Sequence, residues 1–194
     1  MTKKHSLIIL VIFILFSIIF FVLANKSSWD NMNIKDFKIA SFKDSWGTYP
    51  FPAEQINPVS ISNAIPELTN RIDKTELYKW KSGNNVYAFV YAIQLKNSPS
   101  PSSQNNALFN KEYVNNEETY TQIIPVSYEG KTENMKLYLF DENKFIFVVG
   151  GFWSFPESLV EKIVDKYPSK PTESKIMISQ EFINNQLVNF FLFP

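Results

Sequence analysis

Val86-Tyr87-Ala88-Phe89-Val90-Tyr91-Ala92-Ile93-Gln94-Leu95 decides how the rest of this chain folds. Tyr87, Phe89, Tyr91, Ile93 and Leu95 are large, whereas Val86, Ala88, Val90 and Ala92 between them are small. Successive side chains on a strand point to opposite faces, so alternation of size with period two reads as a β-strand. Both faces are apolar, which places the strand inside a sheet with cover on each side, the small face open to a close-packed helix. Ser82-Gly83-Asn84-Asn85 precedes it as a turn, and residues 77–81 read as the strand on the other side of that turn.

A second hairpin lies downstream. Residues 135–140 and 145–149 are apolar runs flanking Asp141-Glu142-Asn143-Lys144. Gly150-Gly151 then suits close backbone packing or a bulge, better than a phosphate-cradling turn. Ser154 with Glu157 matches a capping box, and Pro156 is tolerated in a first helical turn. Pro168 and Pro171 end the helix that Ser154 starts. Leu159, Val160, Ile163, Val164 and Tyr167 form one apolar face of that helix.

Between these anchors the signals are thinner. Phe37, Ile39 and Phe42 suggest a short first strand. Pro50, Pro52 and Pro58 make 45–60 an irregular segment, fastened to the core by Trp46, Tyr49 and Phe51, with an aromatic ligand-binding loop as the functional alternative. Ser62-Asn63 before Pro66 reads as a helix start running to about residue 72. Residues 97–106, rich in Ser, Pro and Asn, are a loop, and 107–114 reads as an amphipathic helix carrying Leu108, Phe109 and Tyr113. Residues 119–128 read as a strand interrupted at Pro125, with Glu129-Gly130 as a turn. In the tail, 174–179 reads as a strand, followed by a hairpin turning at Asn184-Asn185 or, alternatively, a helix over 181–193. The expected class is α+β: one domain with a mainly antiparallel sheet and two or three helices, without internal repeats.

The start of the chain is of another kind. Leu7, Ile8, Ile9, Leu10, Val11, Ile12, Phe13, Ile14, Leu15, Phe16, Ile18, Ile19, Phe20, Phe21, Val22 and Leu23 form an apolar run broken only by Ser17, with Lys3 and Lys4 before it. A helix satisfies its own backbone hydrogen bonds, and 7–24 would span roughly 27 Å at about 1.5 Å per residue, close to the hydrocarbon core of a bilayer. The run is longer than the apolar region of a cleaved signal, so it reads as an uncleaved membrane anchor; cleavage after Val22-Leu23-Ala24 is the alternative. Lys3 and Lys4 keep the N-terminus cytoplasmic, and either reading exports the rest. The organisation expected is an anchor or signal over 1–24, a polar stalk over 25–35 that places Trp29 near the outer interface, and an exported domain over 36–194.

Composition removes whole classes of chemistry. The chain has no cysteine, hence no disulfide framework, thiol nucleophile or lipid-attachment cysteine. Its one histidine, His5, precedes the apolar run, so the exported domain lacks a Ser-His-Asp triad, histidine metal ligands and a histidine base. Lys3 and Lys4 are two of the 19 basic residues, which leaves 17 against 19 acidic ones in the exported part. A slightly acidic domain with Arg71 as its lone arginine is not a nucleic-acid binder. Carboxylate pairs remain for catalysis, at Glu117-Glu118, Glu129 with Glu133, and Asp141-Glu142, each beside a turn where solvated charge is the default. Asp141-Glu142-Asn143 lacks the spacing of a calcium loop, and no cofactor is expected. The expected function is a membrane-anchored, exported accessory or binding domain of the cell envelope, non-catalytic, with the membrane and an envelope protein as partners. The alternatives are a secreted carboxylate-dependent enzyme acting on glycans and a binding protein for an apolar ligand.

Overall fold

The computed structural model describes residues 13–17, 31–52, 70–97, 110–128 and 130–167, in two units divided between Met32 and Asn33. In the first unit, 13–17 are helical, and the Ser17 hydroxyl donates to the Phe13 carbonyl at 2.9 Å, so this polar side chain is satisfied within its own helix. Among the described residues no helix is long and apolar enough to cross a membrane.

The second unit is an α+β domain built on one antiparallel sheet. Its strands are β1 (Phe51–Pro52), β2 (Ile72–Ser82), β3 (Asn85–Leu95), β4 (Asn110–Val114), β5 (Glu117–Tyr128), β6 (Lys131–Glu142) and β7 (Phe145–Gly151), and helix α1 is Phe155–Val164. The spatial order is β1-β2-β3-β7-β6-β5-β4. The β2–β3 hairpin therefore meets the last strand of the β4-to-β7 meander, and the seam between them is β3 on β7, from Ala88↔Gly151 to Gln94↔Phe145.

β3 has the expected character: every residue from Val86 to Leu95 is buried. Its small face is the one the described helical elements cover. Phe155 of α1 packs edge-on against Trp80, the partner of Ala88, at 5.3 Å between ring centroids. Phe37 packs edge-on against Phe147, the partner of Ala92, at 4.8 Å. Leu159, Val160 and Ile163 of α1 are buried in the same layer. On the large face, Gly150 is required by close approach. A β-carbon there would lie 2.4 Å from the Phe89 ring and 2.6 Å from Leu137 Cδ2.

Tyr87 departs from the alternation. Trp80 pairs with Ala88 but Lys81 pairs with Val86, so Tyr87 is the extra residue of a β-bulge. Its ring stands 6.3 Å from Phe155, on the α1 side, away from Phe89 and Tyr91 where strict period two would place it.

Several sequence expectations are corrected. Residues 37–42 are not a strand: Ile34–Phe37 and Ile39–Ser41 are two 3₁₀ turns. Asn33 starts the first, its side chain accepting from the Lys35 amide while Asp36 accepts from the Asn33 amide at 2.7 Å. Lys38 then reverses the chain at φ 53°, and packing of this unit already includes Ile34, whose amide donates to the Gln94 side chain. Ile72 begins a strand and does not end a helix, so β2 is far longer than 77–81. Residues 110–114 are strand β4, not helix, because Asn115 and Asn116 both take positive φ (51° and 68°) and fold β4 tightly onto β5. β5 is continuous through Pro125; β4 pairs only as far as Thr121, so among the described residues no strand lies on the other side of Pro125. Ser154 makes no side-chain cap; the Ser158 amide bonds its carbonyl oxygen at 3.3 Å. The turns at Gly83-Asn84 and Gly130 and the β6–β7 hairpin stand as read. The readings of 62–69, 98–106 and the whole tail from 168 onward lie outside the described residues.

Candidate functional site

An aromatic rim forms where the loop after the 3₁₀ turns meets the β7–α1 junction. Asp44 builds the loop. Its Oδ1 accepts from the amides of Trp46 at 2.9 Å and Thr48 at 2.7 Å, while its Oδ2 accepts from the Tyr87 hydroxyl. Gly47 closes the turn at φ 82°. Burial disfavours the charge on Asp44, but the hydrogen bonds from Tyr87, Thr48 and Trp46 outweigh it and hold the carboxyl below the usual range.

This scaffold holds Trp46 out in solvent, 69% exposed. Trp153, 63% exposed, meets it edge to face, with centroids 5.9 Å apart and planes at 87°. Both rings rest on bulge residue Tyr87, at 5.7 and 6.4 Å. Trp153 is held at φ 59°, a left-handed conformation unusual for a bulky side chain and costing about 1–2 kcal/mol. The Phe152 amide just before it is tied to the Tyr87 carbonyl at 3.1 Å. Two lysines belong to or hold the loop that presents Trp46: Lys162 donates to the Lys43 carbonyl at 3.0 Å, and Lys43 Nζ lies 4.6 Å from the centre of the half-exposed Tyr49 ring. Trp46 and Tyr49 are thus not the staples expected; Asp44 and Tyr87 fasten the loop and leave the rings presented. The aromatic-loop alternative pointed at Trp46, but its partner Trp153 was missed. The side chain of Phe51 lies outside the described residues.

Two of the three carboxylate pairs lie near one another: Asp141, Glu142 and Glu118 are close enough for their charges to act on Glu117. Glu118 is engaged by Lys111 at 2.5 Å and by the Tyr120 hydroxyl at 2.7 Å. Glu133 is exposed on β6, and Glu129 lies outside the described residues. Glu117 departs from the solvated-charge reading. It follows the Asn115-Asn116 turn, is 1% exposed, and its Oε2 accepts no hydrogen bond from any described residue. Burial above all, then the negative charges of Glu142, Asp141 and Glu118, pushes its carboxyl up to about 8. Such a group is protonated at neutral pH, as a general acid must be, but its side chain is almost wholly buried. Asp141 is buried as well. Among the described residues no group of three or more His, Asp or Glu side chains is arranged to hold a metal ion.

Of the membrane-segment residues, Phe13, Ile14, Leu15 and Phe16 are described and are exposed on their helix; the others, and His5, lie outside the described residues. Compared with protein-family profiles, curated proteins and solved structures, the chain matches none.

Proposed function

We propose that this protein is a membrane-anchored, exported accessory domain of the cell envelope that works by binding, not catalysis, with the Trp46–Trp153 rim as its working surface. The observation that carries the reading is the rim itself. Exposed indoles are normally scattered, whereas here two are held in edge contact by a hydrogen-bonded loop and a left-handed backbone residue. Tryptophan combines a large apolar area with few rotatable bonds and one polar N–H, which suits a contact surface. The apolar run at 7–23 supports the anchor and, through Lys3 and Lys4, the orientation.

Because the chain lacks cysteine, one introduced thiol is unique. Thr132→Cys, on an exposed β6 position, is expected to react with a membrane-impermeant maleimide on intact cells; reaction only after lysis would overturn export. A photo-crosslinking residue in place of Trp153 is expected to give envelope adducts absent when it replaces Thr132. Equal yields at the two positions would remove the rim from the proposal.

A further inference from the structure

We infer that the occupant of the aromatic rim is the outer face of the lipid bilayer, with Trp46 and Trp153 at headgroup level and Lys43 and Lys162 against the phosphates. The inference rests on the anchored reading above and adds what the domain touches. Three properties of the rim select a lipid surface over a sugar or a protein.

The first is the chemistry of the edge. Indole rings with an apolar body and a polar N–H collect at the membrane interface, and lysines beside them add attraction to anionic headgroups. Lys43 and Lys162 are tied to the same loop that presents Trp46. The second is what the rim lacks. A sugar ring calls for a flat stacking face with free hydrogen-bonding groups at its border. Here the two indole planes stand at 87°, and the adjacent carboxylate, Asp44, is already engaged by two amides and the Tyr87 hydroxyl. A protruding corner of two crossed rings inserts into a soft, deformable medium more readily than it matches a rigid one. The third is reach. Eight residues lie between Ala24 and Asn33, where the domain begins, and even fully extended that link spans only about 30 Å at about 3.3–3.6 Å per residue. A domain held so near a bilayer meets it at high effective concentration, so a weak contact suffices.

The test uses the full chain reconstituted in phosphatidylcholine–phosphatidylglycerol vesicles, with bromine on the acyl chains as a quencher from the lipid side and iodide as a quencher from the water side. The chain has four tryptophans, Trp29, Trp46, Trp80 and Trp153, and Trp80 is fully buried. Trp46→Phe/Trp153→Phe is expected to remove roughly half or more of the bromolipid-quenched emission, since Trp80 is buried and Trp29 is the one other tryptophan left to contribute. Lys43→Glu/Lys162→Glu is expected to shift rim emission from bromolipid-quenched to iodide-quenched in anionic vesicles. If the rim emission is quenched by iodide and indifferent to bromolipid while the protein floats with the vesicles, the rim faces water and not the bilayer and the inference is overturned, with the anchor intact. If the protein does not float with vesicles at all, the anchored reading falls too.

Discussion

Replacing Glu117 by Gln should make the domain more stable at alkaline pH and leave it nearly unchanged in acid. Glu117 is 1% exposed, bounded by Val114 across the β4–β5 pair, by the charges of Glu142, Asp141 and Glu118, and by the phenol of Tyr167, which burial above all and then the charges of Glu117, Glu142 and Asp141 push upward. An unfolded chain ionises this carboxyl near 4.5, whereas the folded one holds its proton to about 8. Between those limits the unfolded state binds fewer protons than the native one, so stability falls as pH rises from about 4.5 and levels off above about 8. At pH 7 the loss is on the order of 3 kcal/mol, because each pH step of one between those limits costs about 1.4 kcal/mol, reduced by whatever water the opened corner admits. Glutamine keeps the size and sheds the titration, so Glu117→Gln should be worth roughly 6–12 °C in melting temperature at pH 7, and about zero at pH 4.5. The assay is thermal unfolding of the full-length protein in detergent micelles from pH 4.5 to 9, read as the difference between variant and wild type so that other titrations cancel. If the two curves run parallel across that range, Glu117 is not the buried neutral acid described, and the account of this corner is wrong.

Three further outcomes test the fold and the rim. Gly150→Ala should destabilise by about 1–3 kcal/mol in urea unfolding, because the added methyl meets the Phe89 ring and Leu137, neither of which can move freely in a filled core. At Trp153, Gly should cost little in stability, since relief of the left-handed backbone (about 1–2 kcal/mol) offsets the lost ring contacts, whereas Val should cost distinctly more. Measured melting temperatures in which Val matches Gly would dismiss the backbone argument. Asp44→Asn should lower stability above pH 4 and raise iodide quenching of Trp46, because the charge that gathers the Tyr87 hydroxyl and two amides is gone. The wild-type advantage should fade as pH drops through the depressed range of Asp44, and an advantage undiminished there would contradict that origin.

What the sequence disclosed, and what it hid, depends on the range of the forces involved. β3 was legible because size alternation is a local record of burial, and the Gly83-Asn84 turn because positive φ selects residue type. The same logic applied to Asn115-Asn116 yields the β4–β5 hairpin, but Leu108, Phe109 and Tyr113 at near-helical spacing drew 107–114 toward a helix. The first 3₁₀ turns were mistaken for a strand because Phe37 and Ile39 alternate, while the informative residues were the capping pair Asn33 and Asp36. For the rim, Trp46 and Trp153 are more than a hundred residues apart and meet only because β3 pairs with β7 and a one-residue bulge turns Tyr87 between them. No local pattern encodes that meeting. Glu117 was hidden for a different reason: β5 carries polar residues on both faces, so nothing in Glu117-Glu118-Thr119-Tyr120-Thr121 reveals which carboxylate goes inside.

The strand order also sets the sequence of events by which this chain becomes a protein. β2 and β3 are joined by a two-residue turn and can pair at once, but the other neighbour of β3 is β7, whose partner residues lie about 50 to 60 positions further along. Loop closure over that distance is slow, and until it happens the most apolar strand has one edge of its backbone unpaired. Such an edge invites pairing with another copy of the same strand. A chain stalled before residue 145 therefore exposes the bare edge of its most apolar strand, and completion of the β3–β7 seam is what covers it.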